Sequence, residues 1–271
     1  MTLSPAPCGV SFAAPAARVT WRDSSAGLAW GEWSVRPAAY RLPVRLIVVR
    51  IAPRAFRWAL DVQRVEGVLQ PWRLGAVGDS VTVALNVGQF TDEGPWGWLV
   101  HEARERQVPG VGPLAGAVTM HRDGTVRVHD ARELTALRGD TTVVEAFQSF
   151  PTLLDARSQV PAALCRARDG VDPEHRDIRF AIGTRADGQV LLVLSRLDTD
   201  VPLADRTPLG PTTREMAMAL RALGATRALL LDGGLSAQLL VRTNAGARKW
   251  PGLRVVPLGL VLVPREPAAR R

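Results

Sequence analysis

Asp232 is the first polar residue after the apolar run 228–231, and two glycines, Gly233 and Gly234, and the hydroxyl of Ser236 follow it. That order sets a carboxylate at a strand's exit on backbone without side chains, where amides can approach a ligand closely. A carboxylate so placed serves as a nucleophile or as a general base on water, with the neighbouring amides offered to an oxyanion. Asp-Gly-Gly is equally an ordinary tight turn into the next apolar run, 237–241, and the spacing alone leaves both readings open.

The elements that must hold this carboxylate are marked upstream. Thr212 and Glu215 have the spacing of a capping box, which predicts a helix start. Met216, Ala217, Leu220 and Leu223 then share one face, and Gly224 stands where a left-handed C-cap belongs. The run 228–231 fits a strand covered on both faces. Strands are also predicted over 81–85, ending at Asn86, and over 142–147, ending at Gln148. Glycine turns make hairpins of 117–120 with 125–128 and of 180–183 with 189–194. The stretches 44–51 and 58–62 are predicted to form one hairpin across Ala52-Pro53-Arg54, and 255–263 to close the sheet. Many strands joined by hairpins, with few helices, argue for an α+β fold on a largely antiparallel or mixed sheet. The long connections 160–177 and 203–211 are candidate lids beside the site.

Four segments, in order, carry a resemblance. Asn86, Gly88 and Phe90 match an Asn-Gly-Gly-Phe-Phe loop, and Gln148 and Pro151 a Gln-x-Gly-Pro-x-Leu segment. Arg179 to Gly183 matches an Arg-x-Ala-Ile-Gly strand, and 210–236 the helix, strand and Asp-Gly-Gly just described. Over roughly residues 80–263 the chain resembles the phosphodiester glycosidase family. Its fold, and hydrolysis of the glycosidic bond of a sugar-1-phosphodiester, are what the resemblance implies. Val87 and Gln89 stand where the family has glycine and phenylalanine, and Phe150 and Leu235 where it has glycine. Side chains pointing into the pocket there would shrink the substrate or leave a non-catalytic glycan-binding or exopolysaccharide-related envelope protein on the same fold. The domain division expected is an Ala/Pro-rich segment 1–17, N-terminal strands 18–79, the catalytic domain 80–265 and a basic tail 266–271.

Breaking the anomeric C–O bond of such a diester expels a phosphate monoester, whose second pKa near 6 makes it a good leaving group. The demand on the protein is then charge neutralisation. Asp232 is the candidate nucleophile or base, and Arg179 the candidate phosphate clamp, since a guanidinium fork matches phosphate oxygens. An exposed strand arginine is the alternative for Arg179. Asn86, the third residue of the proposed catalytic set, and Gln148 suit sugar hydroxyls, although Asn86 can equally stabilise its own turn and Gln148 pair with backbone. Gly88 frees the loop around Asn86, and Gly233, Gly234 and Ser236 complete the substrate contacts. Thr212 reads first as a cap, at a helix end that also attracts anions. Trp98, with Trp96, offers a stacking face to a pyranose or plugs the core's edge. Glu145 is the candidate second carboxylate, against a solvated role at a strand's end.

Composition bounds the rest. The 271 residues, 46% of them hydrophobic, suffice for a substantial core. A formal charge of +8 would suit an anionic partner, but the arginines are scattered singly, which reads as a solvated surface and not as a nucleic-acid footprint. Cys8 and Cys165 are too few for a disulfide framework or a zinc site, and the four histidines have no ligand spacing, so neither metal nor cofactor is expected. A phosphodiesterase breaking the P–O bond would usually need such ligands. No run reaches membrane-spanning length, and no basic and apolar leader follows Met1; a periplasmic or secreted location is implied by the resemblance alone.

Overall fold

The computed structural model describes residues 18–36, 42–62, 64–65, 68–167, 170–199, 201 and 204–265. The expected segment 1–17 and tail 266–271 lie outside them, as does Leu203 of the second connection. Three antiparallel sheets make up the body. The largest has seven strands in the order Thr20–Ser25, Leu28–Val35, Val44–Ile51, Val190–Leu197, Phe180–Arg185, Ala225–Leu230 and Thr152–Leu154. A second, five-stranded sheet runs Arg104–Gln107, Leu99–His101, Val143–Ser149, Gly116–His121, Val126–Asp130. A third, also five-stranded, runs Gly246–Trp250, Leu239–Thr243, Val83–Asn86, Gly259–Pro264, Phe56–Asp61. With only two α-helices among the described residues, the α+β reading holds.

The inner faces of all three sheets share one core. Ile47, Val49, Ile182 and Leu192 meet Val118, Met120 and Phe147 of the second sheet and Leu85, Leu239 and Leu260 of the third. Alternate residues of the large sheet, Leu46, Val48, Ala181, Leu191 and Val193, point to its other face and pack under Met216, Ala217 and Leu220. This is the period-2 geometry of strands, and burial on both faces explains runs as continuously apolar as 190–194. The helix Thr213–Ala222 that covers the outer face starts as its sequence dictates. Thr212 Oγ1 accepts the Glu215 amide at 3.2 Å and Glu215 Oε2 accepts the Thr212 amide at 2.9 Å. It ends before Gly224, whose φ of +87° is the left-handed value a C-cap requires.

The hairpins 117–128 and 180–194 form as expected, with Val118 opposite Val128 and Ile182 opposite Leu192. The hairpin between 44–51 and 58–62 does not form. Val44–Ile51 lies between Leu28–Val35 and Val190–Leu197, while Phe56–Asp61 pairs with Gly259–Pro264 in a different sheet. Pro53 opens a short 3₁₀ turn that carries the chain across, and both strands are apolar enough to take partners far away in sequence. The closing strand is Gly259–Pro264, shorter than 255–263, because Val256 is held by a bridge to Trp72.

Candidate active site

Asp232 sits at the seam between the large sheet and the third. Leu231 still belongs to the former, donating its amide to Phe180 O at 2.8 Å, but the Asp232 amide donates to Gly88 O, in the loop after Val83–Asn86, at 3.1 Å. Asn86 closes the seam from the other side. Its Nδ2 donates to Asp232 O and its Oδ1 accepts the Gln238 amide, both at 2.9 Å, so one fully buried side chain holds both ends of the 232–238 turn.

The two glycines are there for close approach. A Cβ on Gly233 would collide with the Ile178 carbonyl, and one on Gly234, whose φ is +55°, would lie 3.0 Å from Asp177 Oδ2. The turn therefore lies flat against segment 177–179. Its amides are not free for an oxyanion, contrary to expectation: Gly234 donates to Ile178 O at 2.8 Å, and the Gly233 amide faces the Asp232 carboxylate itself.

Close packing has an electrostatic result. Burial pushes the Asp232 carboxyl up to about 6, and the Asp177 charge adds to the rise; the Ser236 hydroxyl, Arg254 and the Gly233 amide oppose it. Its Oδ2 is buried with no hydrogen-bond partner among the described residues. An orphaned acceptor of that kind is costly in a folded protein unless a ligand or proton takes it up. Asp177 is thus the second carboxylate that sequence reasoning missed. It lies in an irregular stretch, 176–179, pinned by the Arg176–Glu215 ion pair at 2.7 Å and by the Arg179 amide donating to Ser195 Oγ at 2.7 Å. His175 Nε2 stands 3.7 Å from Asp177 Oδ2.

Arg179 and Asp232 are less directly joined than expected. Arg179 donates from Nε to Pro211 O at 3.3 Å and from Nη2 to His175 O at 2.6 Å, beside the helix start. Burial lowers its pKa, with Asp177 and Asp172 drawing it back up. Asp177 thus stands between the two, acting on both. The cation whose charge bears on Asp232 is Arg254, exposed on the far side of the turn, its amide donating to Leu235 O at 3.0 Å. No sequence signal marked Arg254, which follows the hairpin of Leu239–Thr243 and Gly246–Trp250.

Several residues expected at the substrate are engaged within the protein. Gln148 is buried and spent on the 97–110 loop: Oε1 accepts Trp98 N at 2.7 Å and Gly110 N at 2.8 Å, and Nε2 donates to Gly110 O at 2.9 Å. Trp98 is 2% exposed in a satellite core, with Nε1 bonded to Glu105 at 2.9 Å, and offers no face to a sugar. Trp96 is half-buried, its ring against Gly110. Thr212 is a buried cap, and Gly88 at φ +73° supplies the carbonyl that receives Asp232. Ser236 is buried against the Asp232 carboxylate. Glu145 is neither solvated nor at the site; it is buried and paired with His101 at 3.0 Å. Of the departures from the family pattern, Val87 joins the main core and Phe150 packs on the second, while Leu235 points outward, 47% exposed.

The protein is thus built of antiparallel sheets, with a strand-exit aspartate at a sheet seam and a second carboxylate and a guanidinium bearing on it. The chain belongs to the phosphodiester glycosidase family, whose model matches residues 79–263. It is similar in fold to the zebrafish N-acetylglucosamine-1-phosphodiester alpha-N-acetylglucosaminidase catalytic domain auto-inhibited by pro-peptide, at 16% identity and TM-score 0.67, over 91% of this chain and 86% of that one. A hypothetical protein from Synechocystis gives 15% identity and TM-score 0.66 over 93% of this chain, which spans only 64% of the length of that protein. A putative exported protein from Burkholderia pseudomallei gives 16% and 0.52, over 84% and 75%. No curated protein sequence matches the chain. Among the described residues no helix is long and apolar enough to cross a membrane.

Proposed function

We propose that this protein hydrolyses a sugar-1-phosphodiester at the anomeric C–O bond, releasing free sugar and a phosphate monoester. The observation that carries the reading is the buried, unpartnered Oδ2 of Asp232, on a carboxyl whose pKa of about 6 leaves it ionised yet proton-hungry near neutral pH. Asp232 takes the proton of the attacking water, or attacks the anomeric carbon itself to form a glycosyl ester that water then hydrolyses, freeing the sugar and the carboxylate. The C–O bond breaks with its electron pair going to the phosphate oxygen. Arg254, and Arg179 across Asp177, supply positive charge for the phosphate, and Asp177 adds negative charge that favours an oxocarbenium-like centre. Asn86, Gly88 and Ser236 act as positioning residues through the 232–238 turn.

The test is release of reducing sugar from a panel of sugar-1-phosphodiesters, beside Asp232→Asn, Arg254→Ala and Arg179→Ala. Release that vanishes in Asp232→Asn and drops steeply in the arginine variants supports the reading. Sugar binding by calorimetry without release from any diester would overturn it and leave a glycan-binding protein on the same fold.

A further inference from the structure

Arg254 faces two ways. Its charge bears on Asp232, and its guanidinium lies over the Phe90 ring, 5.2 Å from the centroid, as one wall of a groove of about 440 Å³. Pro71, Phe90, Val255, Val256 and Pro257 give that groove an apolar side, and the exposed Asp92 and Glu93 line it as well. Phe90 is held there by a two-stranded ribbon, Gln89–Thr91 with Gly94–Trp96, that pairs with no other sheet among the described residues. The ribbon leaves the loop whose Gly88 carbonyl receives the Asp232 amide, so the groove's Phe90 lies two residues from the chain that holds Asp232.

We infer that this groove seats the alcohol that departs with the phosphate, and that it selects an uncharged alcohol carrying an apolar chain; the inference rests on the sugar-phosphodiester reading. A phosphodiester is linear in its demands: sugar carbon at the carboxylate, phosphate beyond it, alcohol beyond the phosphate. With the sugar at Asp232 and the phosphate at Arg254, the next space along that line is the groove. Its volume falls within the range of small-molecule pockets and admits an alcohol much larger than methanol. The apolar side, Phe90 with Val255, Val256 and Pro257, rewards burial of an alkyl chain. The Asp92 and Glu93 carboxylates repel a second anionic group, which excludes alcohols that carry further phosphates or carboxylates.

The test compares methyl, n-octyl and glycerophosphoryl diesters of one sugar-1-phosphate on the wild type and on Thr91→Trp, in which an indole from the groove's exposed wall fills it. Thermal melting checks that the variant folds, and calorimetry with n-octyl phosphate reads the groove independently of turnover. The expected result is kcat/KM for the octyl diester at least about tenfold above methyl, with glycerophosphoryl lowest. In Thr91→Trp the octyl-to-methyl ratio falls to about one and n-octyl phosphate binding is lost. Turnover without an octyl preference overturns the groove and leaves the proposed activity standing. Octyl phosphate bound in the wild type and expelled by Thr91→Trp, with no diester cleaved, keeps the groove and removes the activity; absence of both removes both.

Discussion

The side-chain amide of Asn86 and the backbone of Asp232 are locked together: Nδ2 donates to the aspartate's carbonyl at 2.9 Å while Oδ1 takes the Gln238 amide at 2.9 Å. Asn86→Ala therefore strips partners from two buried backbone groups at once. The cost of such orphans predicts a loss of about 2–4 kcal/mol of stability by denaturant titration. A change below about 0.5 kcal/mol would mean that the turn does not depend on Asn86, and that its amide is spare for a substrate.

Asp232 predicts the opposite sign. Its pKa is raised from 3.8 to about 6 on folding, so it contributes most to stability below about pH 4, where it is protonated in both states. That contribution is lost as pH rises through 6, because the folded state must then bury a charge. Asp232→Asn should stabilise the protein at pH 8 by about 1–3 kcal/mol after allowance for solvent screening, with the gain gone at pH 4. The same variant should abolish turnover, and wild-type kcat/KM should rise on its acid limb with an apparent pKa of about 6. Melting curves at both pH values and a pH–rate profile check it; an equal effect at pH 4 and 8 would exclude the buried charge as the cause.

Much of this arrangement was legible because its causes are local. The capping box at Thr212 and Glu215 and the glycine at 224 need only their neighbours, and the helix between them appears where the spacing put it. Asp232 was legible because it is the first polar residue after the fully apolar, buried run 228–231. Asp177 and Arg254 were not, since neither lies in a patterned element; one reaches Gly234 only because the helix start pins 176–179, the other only because a hairpin turns back beside Leu235. Gln148 and Trp98 misled for a related reason. A buried amide and a buried indole look in sequence like ligand-binding groups, and only the folded 97–110 loop reveals that backbone and Glu105 already occupy them.

Trp98 gives that contrast a direct check. Trp98→Phe keeps a ring in the satellite core but drops the Nε1 bond to Glu105, which predicts a loss of about 1–3 kcal/mol with KM unchanged. A several-fold rise in KM without destabilisation would restore the ring to the substrate site.

On the second sheet, Thr119 Oγ1 bridges His121 Nε2 and His129 Nε2, both at 2.9 Å, and the chain of donors has one consistent direction. Thr142 Oγ1 already donates to Asp140 at 2.6 Å, so at 2.9 Å it must accept from His121 Nδ1–H. His121 Nε2 is then bare and accepts from Thr119, whose oxygen in turn accepts from His129 Nε2–H. His129 Nδ1 is left facing Glu133 at 3.6 Å. Nitrogen chemical shifts at pH 8 should accordingly report the Nδ1–H tautomer for His121 and the Nε2–H tautomer for His129; the reverse pair would sink the assignment. Burial lowers both pKa values, against opposing Asp140 and Asp123 and assisting Arg127 at His121, and against opposing Glu133 and assisting Arg227 at His129. Depressed histidines contribute stability that is complete above their unfolded pKa of about 6.5 and is lost as pH falls through the folded values.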